Sequence, residues 1–133
     1  SSAGKSLIHS AGRFTSGFVA DTPQNDFLES MAEAAKAVAD YLGENIVYIN
    51  VMNNLSVDCD CDNHPSAPTM HDIGILGSLD PVALDQACVD LVYAAPDGKD
   101  LIQRMESRHG IHTLEFAEQI GLGSRTYELI QFD

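Results

Sequence analysis

Between Thr22-Pro23 and Gly43, apolar residues recur at a spacing that only a helix can bring to one side. Phe27, Leu28, Met31, Ala34, Ala35, Val38, Tyr41 and Leu42 carry the pattern. Thr22 can cap the helix and Pro23 suits its first position, while Gly43 is a stop signal. A stripe of Phe, Met and aliphatic side chains at this period predicts a core-facing surface. The chain must therefore fold around at least one long amphipathic helix, and 133 residues suit a single domain with a core of its own.

Beyond that helix, Ile46-Val47-Tyr48-Ile49-Asn50-Val51 is β-branched and aromatic. Its nearly continuous apolar character predicts a strand covered on both faces. Ile73-Gly74-Ile75-Leu76-Gly77 reads as a second buried strand. Asp80-Pro81 is a helix N-terminus, with Val82, Leu84, Ala87, Cys88, Leu91 and Val92 on the buried side. Ala95-Pro96-Asp97-Gly98 is a turn, and a short helix follows over Leu101 to Glu106. Thr113 caps a last helix that runs past Ala117 to Ile120. Gly17-Phe18-Val19-Ala20 reads as an edge strand and Thr126 to Gln131 as a closing strand. Alternating strands and helices predict one α/β domain over residues 1–133, its sheet mixed or mainly parallel and covered by helices.

Charge narrows the partners. Twenty acidic and seven basic residues give a formal net charge of −13. Such a surface repels nucleic-acid phosphates and anionic lipid, so neither is an expected partner. It attracts cations and basic surfaces. No apolar run approaches the roughly 20 residues that span a bilayer. Three cysteines are too few for a disulfide framework, which points to a reducing, cytoplasmic setting. The start Ser1-Ser2-Ala3-Gly4-Lys5 lacks an initiator Met, so the expectation is a piece of a longer protein.

The densest chemistry lies in Val57-Asp58-Cys59-Asp60-Cys61-Asp62-Asn63-His64, followed by His71-Asp72. In an extended segment, Cys59 and Cys61 point to the same side and can reach one ion. Thiolates favour zinc, iron or copper(I), and imidazole suits zinc or iron. His64, His71, Asp72 and His9 are candidates to complete the shell. Asp72 can equally cap the loop.

A calcium EF-hand is excluded, because Asn63 and Thr69 stand where that loop needs Gly and an acidic ligand. A nucleophilic Cys59 or Cys61 with His64 or His71 as base is disfavoured. Asp58, Asp60 and Asp62 would raise the thiol pKa, whereas a bound cation reverses that penalty. Cys88, on an apolar helix face, reads as a small buried hydrophobe. His109 and His112 read as surface or capping residues. Gly4-Lys5-Ser6 lacks the rest of a phosphate loop, and there is neither a nucleophile elbow nor a dinucleotide fingerprint.

Several blocks together resemble the family called domain of unknown function 362. They are Tyr48-Ile49-Asn50-Val51, Cys59-Asp60-Cys61 and Asp72-Ile73-Gly74-Ile75-Leu76-Gly77-Ser78-Leu79-Asp80-Pro81-Val82-Ala83-Leu84-Asp85-Gln86-Ala87. Ala3-Gly4-Lys5, Met31-Ala32-Glu33-Ala34-Ala35, Leu114-Glu115-Phe116-Ala117-Glu118 and Gly121-Leu122-Gly123-Ser124 fit as well. The resemblance spans most of residues 3–131.

Members are often labelled uncharacterised iron–sulfur centre proteins, so the resemblance implies metal-linked or electron-transfer chemistry. It implies Cys59 and Cys61 as site residues, with Asp72 and His9 as accompanying polar positions. Many relatives carry a C-x₂-C-x₂-C-x₃-C segment, which would fall between His9 and Phe27; this chain has no such run. Relatives are also longer, which implies that residues 1–133 are a C-terminal portion.

The expectation is a metal-binding domain of an iron–sulfur or redox-associated protein. The alternatives are a non-catalytic module that docks a missing N-terminal region or a ferredoxin-like partner, and a metal-dependent hydrolase or isomerase.

Overall fold

The computed structural model describes residues 23–58 and 64–132. The expected edge strand at 17–20, the cap at Thr22, and His9, Cys59 and Cys61 lie outside the described residues. Helix α1 spans Gln24–Leu42, with Pro23 as its N-cap and no side-chain cap. It ends where Gly43, at φ 55°, donates its N–H to Ala39 O at 2.8 Å. A positive φ at that position is cheap for glycine and costly for other residues. Strand β1 (Tyr48–Met52) and strand β2 (Gly74–Ser78) follow, joined by the long loop 53–73. Helices α2 (Pro81–Ala94), α3 (Lys99–Ser107) and α4 (His112–Gln119) complete the described elements.

The sheet departs from expectation. β1 and β2 pair antiparallel, with Tyr48 opposite Ser78 and Met52 opposite Gly74. A parallel pair would need a crossover that carries the chain back past the sheet. Here the described limbs 53–58 and 66–73 hydrogen-bond to each other, and the second runs back beside the end of β1. Nor do the described residues cover both faces: Met52 is buried, while Ile49 and Val51 on the opposite face are 62% and 57% exposed. A run of apolar residues thus marks a strand but does not say that both of its faces are covered.

The closing strand over 126–131 is also corrected. Among the described residues this stretch pairs with no strand. Side chains hold the chain leading into it. Asp80 Oδ2 accepts from Ser124 N, Gln86 Oε1 from Arg125 Nε, and Asp90 Oδ2 from the Tyr127 hydroxyl. Gln86 is the buried polar residue of α2, and its amide also donates to Asp90 at 2.8 Å. Both ends of that amide are satisfied, which removes the cost of burying it.

Helix α2 is central. Asp80 caps it by accepting from Val82 N and Ala83 N, as the sequence predicts. One side of α2 places Val82 against Ala32 of α1 and Ala117 of α4. The other side places Val92 with Met52 of β1 and Met70 of the long loop, over a fringe from α3 that includes Leu101 and Met105. Gly123 lies so close to Asp80 that a Cβ there would strike the capping carboxylate. No helix among the described residues is long and apolar enough to cross a membrane.

Candidate metal centre

The loop 53–73 is laced across its own width. At its base, Ile73 N donates to Met52 O at 2.9 Å. Next, Asn54 N donates to Asp72 Oδ1 at 2.8 Å, with Asn54 itself at φ 49°. Asparagine tolerates that left-handed backbone better than most residues. Thr69 N then donates to Leu55 O, and Ser56 Oγ donates to Ser66 O at 2.7 Å. Finally, Asp58 Oδ2 accepts both the backbone N–H and the hydroxyl of Ser66. Two limbs, 52–58 and 66–73, are thereby joined, and Met70 roots the second limb in the core.

Asp58 is the last described residue of the first limb. Its other oxygen faces Arg104 Nη2 of α3 at 3.3 Å. The Ser66 hydroxyl first, then the Ser66 N–H, hold its carboxyl below the usual aspartate value, and the Arg104 charge adds to this. Asp58 is thus an ionised anchor at the mouth of the segment that carries Cys59 and Cys61. Sequence reading counted Asp58 among the carboxylates flanking the cysteines and gave no role to Ser56, Ser66 or Arg104. Arg104 is 46 positions away, so no local spacing could reveal it.

The remaining sequence-predicted residues separate. His64 is exposed on the far side of the segment. His71 turns toward the α2–α3 connection. Its N–H donates to Asp97 Oδ2 at 2.8 Å, and its ring Nδ1 lies 2.8 Å from Asp97 Oδ1. The His71 N–H is the main cause of an Asp97 pKa below the ordinary value. Asp72 serves the loop base by accepting from Asn54. Among the described residues, no three His, Cys, Asp or Glu side chains converge into a metal-holding group.

Cys88 sits apart from this loop on α2. The Asn50 amide of β1 donates to Cys88 Sγ at 3.3 Å and to Asp85 Oδ1 at 2.7 Å. Burial raises the Cys88 pKa, and the Asp85 charge pushes the same way against the Asn50 hydrogen bond. A protonated, half-buried thiol is a poor ligand and a poor nucleophile. It borders a shallow apolar depression of about 350 Å³ walled by Met52, Leu55, Leu101 and Met105.

A family model described as Domain of unknown function (DUF362) matches residues 1–90. The chain belongs to that family. The DUF362 match takes in α1, both strands, the laced loop and the first two-thirds of α2. Asp97 and Arg104, which tie the loop to the helices, lie beyond it. No curated protein and no solved structure matches the chain. A four-thiolate iron–sulfur cluster does not fit the cysteines of this chain. The sequence has three, and burial, with the Asp85 charge, raises the pKa of the Cys88 thiol. A single ion bound by fewer thiolates with nitrogen or oxygen donors makes no such demand.

Proposed function

We propose that the Cys59/Cys61 segment binds one transition-metal ion, zinc or iron, in a domain of a redox-associated protein. The observation that carries the reading is the laced loop. Ser66 and Arg104 hold Asp58 in place, so the ends of the thiol-bearing segment are fixed before any ion arrives. Fixing the ends lowers the entropy lost when several donors close on one ion. Cys59 and Cys61 are the leading ligands.

His64 is the nearest imidazole in sequence, and His71, Asp72 and His9 are the further candidates. Asp97 on Nδ1 of His71 leaves Nε2 as the coordinating atom, the arrangement in which a carboxylate orients a metal-binding imidazole. A bound cation also offsets the repulsion among the thiolates, Asp60 and Asp62.

Metal content of protein purified without chelator or affinity tag tests this. About one equivalent of zinc or iron is expected, lost in the Cys59→Ser/Cys61→Ser variant together with part of the thermal stability. A folded, metal-free protein whose melting is unchanged in that variant would refute it.

A second reading is a non-catalytic interaction module. It is supported by apolar side chains that the described fold leaves uncovered on α1 and on the outer face of the sheet.

A further inference from the structure

Helix α3 is the least embedded helix of the described fold. None of its nine residues is buried. Leu101, Ile102 and Met105 are half-buried, packed on the cluster of Met52, Met70 and Val92. A helix shorter than roughly 12 residues is marginal on its own in water, and Gly98 gives this one no side-chain cap. α3 therefore keeps its shape through the groups that touch it. Segments with so little buried surface open locally at low cost.

Those groups come from two places. The laced loop holds the N-terminal side. His71 holds Asp97 in the turn before α3, and Asp58 meets Arg104 Nη2 at 3.3 Å. The start of α1 holds the C-terminal end. Gln24 Nε2 donates to Arg108 O at 3.0 Å, and Asn25 Oδ1 lies 3.4 Å from His109 Nδ1. Arg104 and Arg108 are about one helical turn apart. Met105 touches both sides: it packs on the Met52 and Met70 cluster and lines a cleft with Asn25 and His109.

Both sets of contacts need α3 docked as a helix. Two sites that favour the same state of one marginal element are linked, and the link is reciprocal. We propose that α3 couples the laced loop to the first turn of α1, so that an ion held by the Cys59/Cys61 segment steadies α3 and that turn together. The ion comes from the metal reading above; the coupling adds where its presence is felt.

Amide exchange of the full chain, followed by NMR, tests it. Chelator-treated protein is compared before and after zinc, with bound metal measured in parallel. Zinc is expected to slow exchange about fivefold at Ile102, Gln103 and Met105, and at Phe27 and Leu28 of α1. Cys59→Ser/Cys61→Ser is expected to remove that response. Without zinc, Asp97→Asn/Arg104→Gln cuts the loop ties and is expected to speed exchange about twofold at Phe27 and Leu28. Gln24→Ala/Asn25→Ala cuts the other end and is expected to do the same at Ser66. All four replaced side chains are exposed, and unchanged slow exchange at Ala87 and Leu91 of α2 shows that each variant is folded. Bound zinc that slows exchange in the loop alone would overturn the coupling and leave the metal reading standing. Protein that binds no metal would refute the metal reading. The two double variants then decide the coupling by themselves, and it falls unless each acts at the far end.

Discussion

Helices α1 and α2 read alike in the sequence, each with a long apolar stripe, yet the structure uses them in opposite ways. α2 is packed on both sides, with Val82 and Leu84 at 1% and 4% exposure and its N-terminus capped by Asp80. α1 buries Leu28 and Ala32 on α4, has no side-chain cap, and leaves most of its stripe outside. The difference teaches that an amphipathic pattern records a face meant to be covered without naming the cover. For α2 the cover is the rest of this domain. For α1 the described residues leave most of the stripe uncovered.

Truncation separates the two helices most sharply. Leu84→Ala removes a buried side chain and is expected to cost about 2–5 kcal/mol. Val38→Ala on α1 removes a mostly exposed one and is expected to stay within about 0.5 kcal/mol. Denaturation midpoints in urea read both. Equal losses would mean that α1 is packed within this domain after all, and the comparison would fail.

The capping residue should give the next largest effect. Asp80 accepts from Val82 N and Ala83 N with one oxygen and from Ser124 N with the other. Asp80→Ala therefore loses a helix cap and releases the segment that leads to Arg125. About 1–2 kcal/mol is expected, at the upper end of measured cap losses. Amide exchange should accelerate at Ser124 and Arg125 as well as in the first turn of α2. Exchange confined to α2 would show that the carboxylate does not hold the C-terminal segment.

How far the sequence was legible follows the range of the forces involved. Asp80-Pro81 announces α2, and Gly43 announces the end of α1, because caps and stops are local chemistry. The two strands are legible for the same reason. Their antiparallel pairing is not, since it depends on a loop whose rungs join residues as far apart as Met52 and Ile73. The unpaired stretch at 126–131 has strand-like residues, but its approach is set by Asp80 and Gln86, which reach Ser124 and Arg125 across 44 and 39 positions. At the candidate site, the sequence supplies Cys59, Cys61 and His64 as candidate ligands by residue type alone. The scaffold was not, because Arg104 reaches the loop from α3 and Asp97 from the turn before it, both later in the chain.

That scaffold also yields the mildest test of what α2 and its following turn hold in place. Asp58 and Asp97 both have pKa values below the ordinary 3.8, the first mainly through the Ser66 hydroxyl and the second mainly through the His71 N–H. A carboxylate whose folded pKa is depressed contributes stability that is fully present above its unfolded pKa. That contribution is lost as pH falls through the lower folded value. The two ties should therefore be intact at neutral pH and should weaken only below about pH 4. Amide chemical shifts of Ser66 and His71, followed from pH 6 downward, should move together in that window. Asp58→Asn should abolish the Ser66 transition and Asp97→Asn the His71 transition, each leaving the other in place. Both carboxylates are near the surface, so the global stability change should be small, and salt should shrink it at the Arg104 contact. A Ser66 transition that survives Asp58→Asn would mean that the loop is closed by something other than this carboxylate. The fixed ends on which the metal proposal depends would then need another source.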